Sequence, residues 1–190
     1  MDKIFVSAND LLVDTFHLAL GVEESGYTPS FILGIWHGGA SISLTIQEYF
    51  SYRGADADQL AIRVERQGTN GSTRFIADEN TLEYLQTRLS KTDSVLVVDD
   101  MFASGQSAQA VITGLSERMG EETPDIQVAS IWYKPLANEV SIEPDVYLRT
   151  TERRVVFPHE LSDLTEEEMR IGKPEVAAMV SPCYEMETPA

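Results

Sequence analysis

Two adjacent carboxylates, Asp99 and Asp100, occupy a position in the chain where chemistry could take place. They directly follow residues 95–98, VLVV, and such an apolar run predicts a strand buried on both faces of a parallel sheet. Small and polar residues follow at 103–107, and residues 108–115 then continue with helical spacing. The sequence therefore predicts a strand, an acidic tip, a loop and a helix, which is where ligands bind in an open α/β sheet.

The loop at residues 103–107 is suited to binding an anion. Its backbone N–H groups and the positive end of the following helix would both face the bound group. Asp99 and Asp100 can accept hydrogen bonds from hydroxyl groups, and two carboxylates with several waters suit a hard cation such as Mg²⁺. The alternative is an ordinary strand-to-helix turn in which Asp and Ser side chains only cap the helix.

Three better-known motifs do not fit this stretch. The loop has neither the G-x-x-x-x-G-K-[ST] spacing of a Walker A loop nor a G-x-G-x-x-G fingerprint. A two-component receiver domain also combines an acidic pair with a later Lys-Pro, present here as Lys134-Pro135. That class needs a third Asp on an intervening strand, and the chain between Asp100 and Lys134 has no room for the required strand and helix.

A second unit of the same kind precedes the first. Residues 31–36, FILGIW, predict another buried strand, which leads into His37-Gly38-Gly39 and then into a helix. Residues 59–65 alternate enough to predict a third strand. Residues 66–79 are rich in Gly, Thr, Asn and Ser, which predicts a mobile loop.

The rest of the chain completes an α/β pattern. Helices are predicted from an N-cap at Ser7 to about Glu24, over 82–89 and over 164–171. Strands are predicted over 126–133 and 145–148. Residues 153–160 are expected to form the far wall of the site, and a loose tail runs to Ala190. These elements predict an open, mostly parallel twisted sheet with flanking helices, in a single domain spanning residues 1–190.

Charge and cysteine content restrict the class of partner and the compartment. Lys and Arg total 14 against 31 Asp and Glu, so the formal net charge is −17. Nucleic acid and anionic membrane surfaces are therefore excluded as expected partners, and an anion must be bound by local donors. The single cysteine, Cys183, together with no recognisable signal peptide or bilayer-spanning stretch, predicts a protein of the cytoplasm.

Residues 95–107, VLVVDDMFASGQS, resemble the phosphoribosyl-pyrophosphate (PRPP) motif of the type I phosphoribosyltransferases. That motif combines an apolar strand, two acids, two apolar residues, one variable residue and Thr/Ser-Gly-x-Thr/Ser. WYKP at 132–135 and VFPHE at 156–160 are closest in pattern to the hypoxanthine and xanthine–guanine enzymes. The resemblance covers about residues 31–160.

The resemblance implies a Rossmann-like sheet with a small hood formed by the N-terminal segment and roughly residues 134–160. It implies purine salvage, in which PRPP and a nucleobase, with a 6-oxopurine favoured, give a nucleoside monophosphate and pyrophosphate. Mg²⁺ would arrive with PRPP, and a homo-oligomer, either a dimer or a tetramer, is expected. The alternatives are a catalytically weak or inactive sensor of PRPP or a nucleotide, and a scaffold with a vestigial site.

The resemblance also assigns roles to residues. Asp99 and Asp100 would bind the ribose hydroxyls and Mg²⁺ and stabilise positive charge at C1. The 5′-phosphate would be bound by Ala103, Ser104, Gly105, Gln106 and Ser107. Pyrophosphate would be bound by His37, Gly38, Arg66 and Arg74, with the last two on a loop that closes over PRPP. The nucleobase would be bound by Lys134, through its 6-oxo group, and by Arg154, Val155, Val156 and Glu160.

This chain departs from the family pattern at three positions. His37 replaces the usual Arg or Lys before Gly-Gly, where the peptide bond entering the first Gly is expected to be cis. Ala103 replaces an Asp that several 6-oxopurine enzymes use as the acid/base group near N7, so Glu160 or His159 would have to serve instead. Arg154 replaces the aromatic residue that stacks on the base, and a guanidinium plane can also stack there.

Overall fold

The computed structural model describes residues 3–67 and 74–180, and it confirms the expected α/β class. The strands are β1 (Lys3–Phe5), β2 (Phe31–Ile35), β3 (Asp58–Ile62), β4 (Val64–Gln67), β5 (Arg74–Ala77), β6 (Ser94–Phe102), β7 (Asp125–Tyr133), β8 (Val146–Thr150) and β9 (Arg154–Val156). The helices are α1 (Ala8–Glu24), α2 (Gly38–Tyr52), α3 (Glu79–Arg88), α4 (Gln106–Met119), α5 (Glu166–Gly172) and α6 (Pro174–Val180).

The chain divides into two compact units. The larger spans Leu12–Glu152, and the smaller consists of residues 1–11 and 153–190. The predicted hood segment, 134–160, is therefore shared between them, because its part up to Glu152 belongs to the larger unit. Among the residues that the structure describes, no helix is both long and apolar enough to cross a bilayer.

The larger unit is built on a five-stranded sheet in the order β3-β2-β6-β7-β8. All of its strand pairs are parallel. From β2 the chain first adds β3 on one side, and after β6 it adds β7 and β8 on the other, so the strand order reverses between β2 and β6. Ligands bind at the carboxyl ends of strands at such a reversal.

Apolar side chains on the central strands form the core of the larger unit. Val95 and Val97 of β6 are fully buried, and they pack in one cluster with Leu85 of α3 and with Val111 and Leu115 of α4. Complete burial of such a side chain stabilises a fold by about 1.5–3 kcal/mol. The core therefore fixes β6, which carries the acid pair, and α4, which follows the loop.

The sequence interpretation of residues 59–79 is wrong in two respects. The predicted single strand over 59–65 is broken at Arg63, since β3 ends at Ile62 and β4 begins at Val64. Of the described residues of the predicted loop, 66–67 and 74–77 lie on the two strands of an antiparallel hairpin, in which Val64 lies opposite Ala77. Ala77 is buried and Val64 packs against the core, which explains why the hairpin is held against the larger unit's core. Residues 68–73 lie outside the described part.

The smaller unit contains a parallel pair of strands and two short helices. Ile4 of β1 lies opposite Val155 of β9, and Val155 is buried. Thr165 starts α5 with a capping box, because its side chain accepts from the Glu168 amide while the Glu168 carboxylate accepts from the Thr165 amide. The sequence did not predict α6, and Cys183 lies outside the described residues.

Candidate functional site

The acid pair lies at the reversal of strand order. Strand β6 pairs with β2 only as far as Val98, opposite Gly34, whereas it stays paired with β7 up to Phe102, opposite Tyr133. Asp99 and Asp100 therefore belong to the strand and do not form a tip beyond it as expected. On one side β6 continues to pair with β7 beyond the acid pair, and on the other side β2 has already ended.

The His37-Gly38-Gly39 segment lies beside β6 on this side, and its glycines are the first residues of α2 rather than part of the predicted loop. A Cβ atom on Gly38 would lie 1.9 Å from Oδ2 of Asp100, and one on Gly39 would lie 2.2 Å from the carbonyl oxygen of Val98. Both distances are far shorter than any real Cβ contact, so only glycine lets this segment approach β6 so closely. The predicted pyrophosphate segment is thus brought to the acid pair of β6.

The expected cis peptide bond is present, but one residue earlier than expected. It joins Trp36 to His37 and not His37 to Gly38. The His37 side chain is exposed, so it is available to an anion at this segment.

The loop at residues 103–107 is shaped by Gly105. This residue has φ +73°, in the left-handed region, and a Cβ atom there would lie 2.4 Å from Cγ2 of Val140. Gly105 is the N-cap of α4 and supplies no side-chain cap, while the Gln106 amide makes only a long contact of 3.4 Å with Oγ of Ser104. The N-cap residue itself thus supplies no cap, and the first-turn N–H groups of α4 suit an anion.

One cavity joins Asp99 to this loop. It has a volume of about 160 Å³ and combines the Asp99 side of β6 with the start of α4. Its lining consists of Asp99, Met101, Phe102, Ala103, Ser104, Gly105, Ser107 and Ala108. The carboxylate expected to bind ribose and the loop expected to bind phosphate thus face the same space.

The electrostatics of the pair favour a cation. Burial, and then the neighbouring charge of Asp100, raise the pKa of Asp99 well above its usual range. The Asp100 amide donates to Oδ1 of Asp99 over 2.9 Å, which opposes this rise in pKa. A divalent ion would relieve the repulsion between the two carboxylates.

The residues present also fit the way in which Mg²⁺ is bound in proteins. Within residues 3–67 and 74–180, no cluster of three or more His, Cys, Asp or Glu forms a dedicated metal cage. Mg²⁺ needs no such cage, since it commonly takes one or two carboxylates plus water and substrate phosphate oxygens. Asp99 and Asp100 provide such a donor set.

The other predicted residues of the larger unit lie on neighbouring elements. Lys134 directly follows β7, and its amide donates to the Phe102 carbonyl at the end of β6 over 2.9 Å. Arg66 lies on β4 with an exposed side chain, and so is on a strand and not on the expected loop. Arg74 lies on β5, and its side chain is not among those described. The Gln106 amide group donates to the Glu139 carboxylate.

The predicted nucleobase residues beyond Lys134 belong to the smaller unit. Val155 and Val156 are buried in it, so contacts with a base would have to come from their backbone. Arg154 is exposed, with its guanidinium 3.3 Å from Asp163 and 3.9 Å from Glu160. Glu160 in turn accepts from the Phe157 amide over 3.1 Å. The grouping of these residues with Lys134 around one base stays a prediction.

Sequence reasoning missed Ser130, which fixes the end of β6. Its hydroxyl accepts from the Phe102 amide over 3.0 Å and donates to the Trp132 carbonyl over 2.7 Å. The signal was a single Ser in the otherwise apolar stretch ASIWY. Gly34 was missed as well, although a glycine inside a strand often marks a close backbone approach. A Cβ atom on Gly34 would lie 2.5 Å from the Gly39 carbonyl oxygen.

Comparison with known proteins identifies the fold. No family model matches the sequence, and no curated protein matches it either. Solved structures do match. A purine phosphoribosyltransferase from Pyrococcus horikoshii Ot3 has a TM-score of 0.67 at 21% identity, covering 87% of this chain and 99% of that one. Helicobacter pylori xanthine-guanine-hypoxanthine phosphoribosyltransferase has a TM-score of 0.64 at 16% identity, covering 92% and 99%.

A third match is a structure with a bound nucleotide. A hypothetical protein from Neisseria gonorrhoeae with bound ppGpp has a TM-score of 0.69 at 18% identity, covering 91% of this chain and 97% of that one. The fold of this chain is therefore that of the type I phosphoribosyltransferases. Its structural neighbours include enzymes of the purine and hypoxanthine–guanine type, as the patterns at residues 132–135 and 156–160 predicted.

Proposed function

We propose that this protein transfers the 5-phosphoribosyl group of PRPP to a nucleobase, with a 6-oxopurine favoured, and releases pyrophosphate. The observation that carries the proposal is the cavity shared by Asp99 and the loop at residues 103–107. The close approach of Gly38 to Asp100 also supports the proposal, because it brings the segment expected to bind pyrophosphate to the same acid pair.

Each part of PRPP has a counterpart among these residues. The 5′-phosphate would be bound by N–H groups of residues 103–107 at the start of α4. Asp99 and Asp100 would accept from the ribose hydroxyls, and pyrophosphate would lie against His37 and Gly38. The two carboxylates would also hold Mg²⁺ together with PRPP oxygens, and the ion would offset the charge of the pyrophosphate.

The reaction exchanges one bond at C1 for another. The bond from C1 to pyrophosphate oxygen breaks, and the leaving group takes the electron pair. A ring nitrogen of the base then forms the new bond to C1 and loses its proton. The carboxylate of Asp99 or Asp100 would stabilise positive charge that develops on the ribose ring. Since Ala103 cannot accept the proton, Glu160 or His159 is the proposed acceptor.

The base would be recognised by the groups that the resemblance assigns. Lys134 would donate to the 6-oxo group, and this donor favours hypoxanthine, guanine or xanthine over adenine. Arg154 would supply a flat cation for stacking on the base. The net charge of −17 supports small-molecule partners and not nucleic acid or an anionic membrane. We also propose a cytoplasmic homo-oligomer, a dimer or a tetramer, by analogy with the family.

A panel of bases tests the proposal. The protein is incubated with PRPP, Mg²⁺ and each of hypoxanthine, guanine, xanthine, adenine, uracil and orotate, and pyrophosphate release is measured. We expect release with at least one 6-oxopurine and none in EDTA, with the Asp100→Asn variant as the matched protein control. No release with any base would overturn the proposed activity.

A nucleotide sensor of the same fold is the second candidate. It is favoured by Ala103, which removes the usual acid/base group, and by the similar gonococcal structure, whose ligand is ppGpp. A sensor would bind PRPP or ppGpp without turnover, and binding would raise the melting temperature in proportion to the logarithm of ligand excess. Stabilisation by these ligands with no pyrophosphate release would select this candidate.

A further inference from the structure

Lys173 is a buried cation that the proposed reaction does not use. It lies between α5 and α6 in the smaller unit, and its side chain is 8% exposed. Among the side chains whose burial the structure describes, it is the only buried Lys or Arg. Burial lowers the pKa of its ammonium, while the charge of Glu160 opposes that change.

All three N–H donors of the Lys173 ammonium bind backbone carbonyl groups of one short segment. Nζ of Lys173 donates to the carbonyl oxygens of Phe157 over 2.5 Å, Pro158 over 2.9 Å and Glu160 over 2.7 Å. An ammonium carries three N–H bonds and no acceptor, so its hydrogen-bonding capacity is filled. A buried charge without such partners would be strongly destabilising. The cation therefore depends on the conformation of residues 157–160, and that conformation depends on the cation.

The segment at residues 157–160 is also closed on itself. The Glu160 amide donates to the Phe157 carbonyl over 3.1 Å, and the Phe157 amide donates to the Glu160 carboxylate over the same distance. The ring of His159 stacks parallel to that of Phe157, with 6.0 Å between centroids. Hydrogen bonds from Lys173 connect this closed turn to the point where α5 ends and α6 begins.

We propose that Lys173 is a positioning residue for the nucleobase. The inference rests on the proposed function, because the turn that it holds carries Glu160 and His159 and directly follows β9, which begins at Arg154. By fixing three carbonyl groups of the turn, Lys173 sets the position of the wall against which the base would bind. The turn contains none of the residues proposed to bind the sugar or the phosphates, so we expect loss of Lys173 to weaken the affinity for the base and not the affinity for PRPP.

Two substitutions and one control test this role. Lys173→Met removes all three hydrogen bonds, and Lys173→Gln keeps an amide donor in case the first variant does not fold. Lys3→Met is the matched control, because Lys3 pairs with Glu168 at 2.8 Å in the same unit and does not contact the turn. The readouts are the separate KM values for base and for PRPP, and amide hydrogen exchange in residues 157–160.

Chemical rescue adds a readout that loss of packing alone would not give. In a Cys183→Ser background, Lys173→Cys is alkylated with bromoethylamine in denaturant and refolded, which restores an ammonium at nearly the lysine position. The Cys183→Ser protein treated in the same way is the control. Recovery of the base KM on alkylation supports a positional role of the cation, and failure of the refolded, alkylated protein to recover it counts against the inference.

The outcomes separate this inference from the proposed function. We expect Lys173→Met to raise the KM for the base by about tenfold or more, a loss typical of hydrogen bonds to a charged group, with the KM for PRPP within about twofold. Faster exchange in residues 157–160 should accompany it. Equal changes in both KM values, or none, would overturn the role of Lys173 while leaving the proposed function intact.

If the wild-type protein turns over no base, the proposed function fails and the inference is decided by binding. Dissociation constants of IMP and of ribose 5-phosphate are then compared in the wild type and the Lys173 variants. Weaker binding of IMP alone supports a positional role at the base. Equal weakening of both ligands, unchanged binding, or no binding of either by the wild type would overturn the inference.

Discussion

Gly38 and Asp100 lie so close that a single methyl group between them would overlap the carboxylate. Oδ2 of Asp100 is 1.9 Å from the position that a Cβ atom on Gly38 would take. Gly39 makes a similar approach to the Val98 carbonyl, at 2.2 Å. The two glycines therefore differ in what they approach, since one faces a side chain that can rotate and the other faces backbone that cannot.

This difference predicts opposite outcomes for two alanine substitutions. Gly38→Ala should leave the melting temperature close to wild type, because the Asp100 carboxylate can turn away, but should abolish PRPP binding. Gly39→Ala should lower the free energy of unfolding by about 1–3 kcal/mol or more, because the strand must move. Thermal unfolding and PRPP titration check both. Wild-type PRPP affinity in Gly38→Ala would remove this contact from the site.

Asp99→Asn and Asp100→Asn should impair the reaction and spare the fold. Each substitution keeps the shape of the side chain and removes a charge from a pair that repels itself, so stability should not fall. We expect a loss of about 10²-fold in kcat/KM for Mg²⁺-PRPP, typical of lost electrostatic stabilisation of a transition state. Steady-state kinetics and thermal unfolding measure the two effects. Kinetics like those of the wild type in either variant would contradict its assigned role.

Ala103→Asp should increase turnover of 6-oxopurines. It restores the acid/base group that several such enzymes carry, in a loop position that is only half-buried. General acid–base catalysis contributes about 10²–10⁴-fold, so even an imperfectly placed carboxylate should raise kcat at least tenfold. Ala103→Asn is the matched control, since it has the same size and cannot take the proton. An equal effect of both variants would exclude acid–base catalysis as the cause.

Asp78 should stabilise the protein in a manner that depends on pH. It is the N-cap of α3, and its carboxylate accepts from the Thr81 hydroxyl over 2.6 Å and from the Thr81 amide over 2.8 Å. The hydrogen bond from the Thr81 hydroxyl has the larger effect and that from the Thr81 amide the smaller, and together they lower the pKa of Asp78 below its usual 3.8. The native state therefore favours the charged form, so this stabilisation is complete above about pH 4 and is lost as pH falls through the lowered pKa.

The substitution Asp78→Ala should thus lower the free energy of unfolding by about 1 kcal/mol at pH 7 and by less at pH 3. Asp78→Asn is the control, because it can still cap the helix but does not titrate. Urea denaturation at both pH values measures the difference between the variants. A cost of Asp78→Ala that stays constant across this range would show that the carboxylate charge does not contribute.

The parts of the site that could be predicted are those whose residues lie close together in the sequence. The strand, the acid pair and Gly105 lie within residues 94–107, and each is marked by residue type at a fixed spacing. The extension of β6 to Phe102 was not predictable in this way, because it depends on pairing with β7 and on the hydroxyl of Ser130. A hydrogen bond between strands leaves no pattern in either strand alone.

Two other features could not be predicted from the sequence, for different reasons. The hairpin of β4 and β5 has short strands, and the polar residues between them made the whole stretch resemble a loop. Lys173 has backbone carbonyls as partners, which any residue type supplies, so nothing in the sequence at 157–160 points to it. Placed between Gly172 and Pro174, it has the sequence context of a helix end.

The one-sided pairing of β6 limits how this protein can change over evolution or by design. Side chains along a strand alternate between faces, so deletion of one residue ahead of Asp99 would turn both carboxylates onto the wrong faces while β7 held the backbone. Point substitutions in β6 can therefore be absorbed, whereas changes of its length cannot. Variation in length is better tolerated at positions outside the paired stretch from Ser94 to Phe102.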